Sequence, residues 1–173
     1  MSCWVKEVPL VPDDYVVRQL RSGDNAEVAG LLDVFGEAFG DTDTYGRARP
    51  SPAYLHKLLG SSTFIALAAM QGGTVIGGLV AYELQKIEQE RSEIYIYDLA
   101  VGQAYRRQGV ATALIRGLQG VAAQRGAWVI FVQADYGDDP AIALYQKLGV
   151  REEVLHFDIA VPPAAAKGSE HAG

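Results

Sequence analysis

Residues 92–112 read SEIYIYDLAVGQAYRRQGVAT. Ser92 to Val101 is a run of aromatic and branched apolar residues broken by acids, which predicts a β-strand. Gly109 to Arg125 carries Leu114, Leu118, Val121 and Ala122 on one side, which predicts a helix closed by Gly126. Tyr105 to Thr112 (YRRQGVAT) therefore forms a strand-to-helix turn. Backbone N–H groups at a helix start lack partners and carry partial positive charge, so they can bind phosphate oxygens. Gly109 permits close backbone approach, Ala111 keeps that approach open, and Arg106 and Arg107 add positive charge. Alone, the segment equally fits a glycine at a helix start beside solvated arginines.

Working upstream, TFIALAAM (Thr63 to Met70) and TVIGGLVAYEL (Thr74 to Leu84) flank Gln71-Gly72-Gly73, a hairpin signal. Lys86 to Gln89 is a second turn, so three strands follow one another as an antiparallel meander. Tyr15 to Leu20 predicts the first strand. Asp24 to Gly40 predicts a helix capped by Asp24 or Ser22, with Val28, Leu31, Leu32, Phe35 and Phe39 on its buried face. Thr44 to Pro52 reads as a loop. Ser51 to Gly60 reads as a second helix, with Ser51 as cap and Pro52 in the first helical position.

Downstream, Ala127 to Ala134 (AWVIFVQA) is apolar almost throughout, as expected of a strand buried on both faces. Asp139 before Pro140 opens a helix closed by Gly149, and Val150 to Ile159 predicts a last strand. The order β-α-α-β-β-β-α-β-α-β contains at least one parallel crossover. It predicts an α/β fold with a mixed, mostly antiparallel sheet and helices on both faces. One domain is expected over residues 1–159, with the Pro-, Ala- and Gly-rich residues 160–173 as a flexible tail.

Composition fits this picture: 173 residues, 49% hydrophobic and 21% charged, suffice for one globular core. A single cysteine, Cys3, and three dispersed histidines, His56, His156 and His171, show no metal-ligand spacing, so no metal site is expected. No apolar run reaches the ~18 residues of a membrane span, and the N-terminus lacks a signal-peptide pattern. A cytoplasmic protein is expected. Fifteen Lys and Arg against 21 Asp and Glu give a net charge of −6, which argues against a nucleic-acid partner. An acidic balance is common among cytosolic proteins; it also suits a cationic ligand.

Arg106, Gly109 and Ala111 match [Gln/Arg]-x-x-Gly-x-[Gly/Ala], and AIALYQKLGV (Ala141 to Val150) matches A-x-x-L-Y-x-K-x-G-[Phe/Tyr/Val]. With IYDLAV (Ile96 to Val101) before them, these motifs resemble the GNAT acetyltransferase superfamily over residues 15–159. SEIYIYDLAV together with VQADYGDDPAIALYQKLGVREEVLHFDI, TFIALAA and FGEAFGD is similar to the aminoglycoside 3-N-acetyltransferases of the gentamicin-modifying type I group. Many GNAT proteins carry Asn where this chain has Asp138, so the neighbourhood is more negative here.

The resemblance implies a sheet splayed between its fourth and fifth strands, with acetyl-CoA in the gap as cosubstrate. Its pyrophosphate would lie on Arg106, Arg107, Gln108, Gly109, Val110, Ala111 and Thr112, and its pantetheine arm along Leu99, Ala100 and Val101. The amide of Leu99 or Val101 would polarise the thioester carbonyl. A 3-amino group of an aminoglycoside would attack directly, conferring antibiotic resistance. Asp98 and Glu93 on the strand are the proton-acceptor candidates, Asp98 preferred beside the expected bulge, with ammonium anchoring as its alternative. Strict alternation places the two acids on opposite faces unless that bulge intervenes. Tyr145 occupies the motif tyrosine and is the general-acid candidate, although it shares a helix face with Ala141, Leu144 and Leu148.

Asp135, Asp138 and Asp139 gather at a strand end, where open α/β sheets place ligands, and would attract a polycation. Asp139 also fits the cap of the helix at Pro140; Tyr136 would pack on a sugar ring, and Glu88 and Asp41 would extend the acidic wall. The family implies a homodimer, with the C-terminal strand as a candidate interface. Two alternatives share the turn: a polyamine or other small-amine acetyltransferase, and a non-catalytic acyl-CoA sensor, which would not require Asp98 or Tyr145.

Overall fold

Gly72 and Gly73 take φ of 56° and 85°, the left-handed pair a two-residue hairpin needs, and join β2 (Phe64–Gln71) to β3 (Thr74–Gln85). The computed structural model describes residues 15–47 and 49–162. Cys3, His171 and most of the expected tail lie outside the described residues. The rest forms two compact units, dividing after Asp135.

In the first unit β1 (Tyr15–Gln19), β2, β3 and β4 (Ser92–Val101) pair antiparallel in chain order. β5 (Ala127–Val132) joins β4 in parallel, after the crossover helix α3 (Val110–Arg125). The mixed α/β sheet expected from the sequence is present, with five strands among the described residues.

Two neighbouring glycines of β3 show how the helices cover it. A Cβ on Gly77 would touch Val110 of α3, whereas one on Gly78 would strike Leu31 of α1 (Asn25–Phe39) and lie 2.6 Å from the Leu67 carbonyl oxygen. Successive strand residues face opposite sides, so α1 and α3 lie on opposite faces. Glycine at 78 lets α1 approach this closely. On the α1 face, Val28, Leu31 and Phe35 pack with Leu20, Phe64, Ala66 and Ala68. Leu114 and Leu118 of α3 are fully buried. Each such Leu or Phe contributes roughly 1.5–3 kcal/mol of burial.

Helix ends follow local chemistry. Ser51 caps α2 (Pro52–Leu59) by accepting the Tyr54 N–H at 3.2 Å, as expected. Asp24 stands at the N-cap of α1, yet its carboxylate accepts from Arg18 at 2.9 Å and the Arg21 N–H at 2.7 Å instead of capping. The expected loop before α2 contains a short π-helical turn, Asp43–Arg47. At the C-terminus of α3, Arg125 donates to Glu83 at 2.7 Å and to the Ser62 carbonyl, while the Ser92 hydroxyl donates to Glu83 at 2.6 Å. Burial alone would raise the Glu83 carboxyl; Ser92 and Arg125 outweigh it and hold the group below its ordinary range.

Two expectations are corrected. β5 is not buried on both faces: Trp128 and Val129, which project to opposite sides, are both exposed, and among the described residues β5 pairs with β4 alone. Val150 to Ile159 forms no strand; no ladder pairs it, and Val150, Val154, Leu155, Phe157 and Ile159 are exposed. The second unit contains α4 (Asp139–Leu148), with Ala141, Leu144, Tyr145 and Leu148 on its partly buried side.

Candidate active site

The β3–β4 ladder pairs Val80 with Asp98 but Ala81 with Ile96, so Tyr97 is an extra residue on β4. Before it, Tyr82 opposes Tyr95 and Leu84 opposes Glu93. Opposed residues project to the same face, so the bulge turns Asp98 onto the face of Glu93 and Tyr95. Without the extra residue Asp98 would point towards α3.

On that face Asp98 is half-buried, near enough to the Tyr45 phenol for each group to shift the other's titration. Phe35 and Phe39 of α1 hold the Tyr45 ring at centroid distances of 6.0 and 5.7 Å. Burial raises the Asp98 carboxyl above its ordinary range, and the Tyr45 contact offsets part of that rise. Burial also raises the Tyr45 phenol, with the Asp98 and Asp41 charges adding to it, so Tyr45 stays a protonated donor near neutrality.

The β4–β5 ladder stops at Ile96 opposite Val132. Beyond it β4 continues to Val101 on β3 alone, so the edge of Asp98–Val101 turned away from β3 has no partner on β5. Just past that open edge, Arg107 has φ of 62° and Gly109 φ of 85°, and α3 begins without a side-chain cap. The N–H groups of Val110, Ala111 and Thr112 are thus free of intrahelical partners. Arg106 folds back, its Nε donating to the Val101 carbonyl at 3.1 Å. A left-handed backbone turn, free amides and two arginines suit an anionic phosphate group, and the open edge suits an extended amide chain.

These parts match a known design. The model of the acetyltransferase (GNAT) family matches residues 31–150. The chain belongs to the GNAT acetyltransferase family. It is 60% identical to an aminoglycoside acetyltransferase from an uncultured soil metagenomic sample, over 86% of this chain and 99% of that one, with a TM-score of 0.84. A second aminoglycoside acetyltransferase from such a sample, solved in complex with sisomicin, is 29% identical over 86% and 97%, with a TM-score of 0.80. N-acetyltransferase family 8 member 2 of Rattus norvegicus is 28% identical over 89 residues, 51% of this chain and 39% of the relative. The chain thus spans about two-fifths of that curated relative's length.

In this GNAT chain the first unit brings together Asp98, the edge of Leu99, Ala100 and Val101, and the turn from Arg106 to Thr112. Glu93 is separated from them. It lies roughly 13–16 Å along β4 from Asp98 at 3.2–3.4 Å per residue. Lys86 pairs with Glu93 at 3.4 Å and with Glu88 at 3.2 Å, so both acids are engaged at the far end of the strand. Asp135 ends the first unit; Tyr136, Asp138 and Asp139 belong to the second, where Tyr136 is exposed.

The helix cap is corrected: Asp138, not Asp139, occupies the N-cap and accepts the Ala141 N–H at 3.2 Å. Asp139 is the first helical residue, where its charge suits the helix dipole. Burial raises the Tyr145 phenol, with Asp138 adding to it. Sequence reasoning missed Tyr45, which reaches Asp98 from a loop distant along the chain. The aromatic run Phe35-Phe39-Tyr45 was the available signal. Among the described residues no cluster of metal-ligating side chains occurs, and no helix is long and apolar enough to cross a membrane.

Proposed function

We propose that this protein is an acetyl-CoA-dependent N-acetyltransferase that acetylates aminoglycosides, at the 3-amino group. The 60% identity to an aminoglycoside acetyltransferase across nearly that whole chain carries the acceptor class. The choice of the 3-amino group rests on the resemblance of SEIYIYDLAV and the residues after β5 to the gentamicin-modifying type I group. From the same resemblance we read a cytoplasmic homodimer that confers resistance.

When bound, acetyl-CoA supplies an activated acetyl thioester. Arg106, Arg107 and the amides of Val110, Ala111 and Thr112 hold its phosphates, and the Leu99–Val101 edge orients the arm. Asp98, ionised above its raised pKa, takes the proton of the substrate ammonium. The freed amine forms the C–N bond as the C–S bond breaks; the nitrogen sheds a second proton as it becomes an amide, the departing sulfur takes one up with Tyr145 as its proposed donor, and the nitrogen's proton restores the Tyr145 phenol through solvent. Before transfer the Asp98 carboxylate also anchors the ammonium. Asp135, Tyr136 and Asp139 are proposed acceptor contacts; Asp138 is first a helix cap, and Glu88 and Glu93 are first partners of Lys86.

Thiol release from acetyl-CoA, measured with gentamicin, sisomicin, spermidine or no amine, tests this assignment. Release with the two aminoglycosides and mass-spectrometric location of the acetyl group on the 3-amino nitrogen are expected. Turnover of spermidine alone would assign the polyamine alternative, and acetyl-CoA binding without release from any amine would assign the sensor.

A further inference from the structure

Four aromatic residues lie in one cross-strand line. Phe64 of β2 opposes Tyr82 of β3, Tyr82 opposes Tyr95 of β4, and Tyr95 opposes Phe131 of β5. The Phe64–Tyr82 and Tyr95–Phe131 centroids are 5.3 and 5.0 Å apart. The bulge residue Tyr97 closes the middle of the row, 5.9 Å from both Tyr82 and Tyr95. The row begins in the α1 core at buried Phe64 and emerges into solvent: Tyr97 is 63% and Phe131 37% exposed. Tyr95 is held in place by donating its hydroxyl to Gln133 at 2.9 Å.

Core packing accounts for Phe64 and the inner edge of Tyr82. It accounts less for Tyr97, which is exposed next to the half-buried Asp98, and leaves one face of Phe131, stacked on Tyr95, partly open. Aromatic faces carry negative quadrupole potential and attract ammonium groups, while their flat apolar surface suits the C–H face of a saturated ring. Asp98 follows Tyr97 directly and supplies the full negative charge at one end.

We propose that Tyr82, Tyr97, Tyr95 and Phe131 form an acceptor platform for a multi-ring amino sugar, laid across β3 to β5 with one amine at Asp98. This rests on the aminoglycoside assignment above and deepens it. A linear polyamine offers ammonium groups but no ring faces. A one-ring amine reaches Asp98 and Tyr97 without extending to Phe131. The row therefore favours acceptors of more than one ring and sets KM more than kcat.

Steady-state kinetics of Tyr97→Leu and Phe131→Leu test the platform, with sisomicin, the single-ring amine 2-deoxystreptamine and spermidine as acceptors. Leu keeps apolar bulk and removes the ring face. Each variant is expected to raise the sisomicin KM by about tenfold, the size of one well-formed cation–π contact, with kcat changed less than KM. For Phe131→Leu the KM ratio of sisomicin to 2-deoxystreptamine rises as well. Melting temperatures and the KM for acetyl-CoA identify any variant damaged in folding. Wild-type turnover of sisomicin with an unchanged sisomicin KM in both variants would overturn the platform and leave the aminoglycoside assignment standing. A wild-type enzyme that accepts spermidine and no amino sugar would overturn both. An equal KM rise for all three amines would reduce the row to general site architecture and end the proposal.

Discussion

Gly109→Ala separates backbone conformation from crowding at the turn before α3. A Cβ there has room, since its nearest neighbour would be the Tyr15 hydroxyl at 3.9 Å. The cost is conformational, because φ is 85°. Placing an L-residue in left-handed geometry costs roughly 1–2 kcal/mol. The smaller entropy of the unfolded alanine chain returns roughly 0.4–1 kcal/mol. The net loss of about 1 kcal/mol lowers Tm by roughly 2–4 °C for a protein of this size. Gly120→Ala is the control: Gly120 lies within α3, has ordinary φ and open space around its Cβ position, so the change stabilises by roughly 0.5–1 kcal/mol.

The two substitutions should shift Tm in opposite directions. Acetyl-CoA then tests the site. At a hundredfold excess over Kd it adds about 2.7 kcal/mol of stability; a tenfold loss of affinity leaves about 1.4 kcal/mol. Differential scanning calorimetry of the wild type and both variants, with and without acetyl-CoA, reads both effects. A Gly109→Ala variant that melts no lower than wild type would refute the backbone argument. An undiminished acetyl-CoA shift would refute the role of the turn.

Asp98→Asn should lose most turnover and the acid limb of the rate profile; because burial raises Asp98, that limb lies above the ordinary carboxylate range. A raised folded pKa means stability present at low pH and lost as pH rises through it. Calorimetry should therefore find the variant gaining on wild type towards neutral pH and matching it in acid, and a gain confined to acid would contradict the assignment. Arg125→Met strands the Glu83 carboxylate, whose side chain is 9% exposed, and should cost about 3 kcal/mol in urea melts near neutrality. Glu83 has a depressed folded pKa, so the wild-type advantage should shrink as pH falls through it; a difference independent of pH would remove the ion pair as its cause.

Local signals were legible where chemistry is local. Gly72-Gly73 reads as a hairpin, Ser51-Pro52 as a helix start, and the meander before the crossover follows from spacing. The apolar run of β5 reads as doubly buried because a sequence shows a strand's own character and not its neighbours. Asp138 and Asp139 differ by one position, within the play of any helix boundary, and only the Ala141 N–H contact decides between them. The β4 bulge was legible only through the family resemblance, since alternation by itself separates Glu93 from Asp98. Tyr45 and the aromatic row depend on register between strands far apart in the chain, which no single segment encodes.

One strand presents two different chemistries side by side. The edge of β4 left open past Ile96 offers main-chain groups, which nearly every substitution preserves; proline alone takes one away, the N–H. The face beside it offers Tyr95, Tyr97 and Asp98, whose identity any single codon change can alter. Variation along this strand can therefore reshape what lies over its face while the hydrogen-bonding edge persists. On the proposed assignment, donor recognition is in that sense inherited with the fold, and acceptor choice is left open to drift.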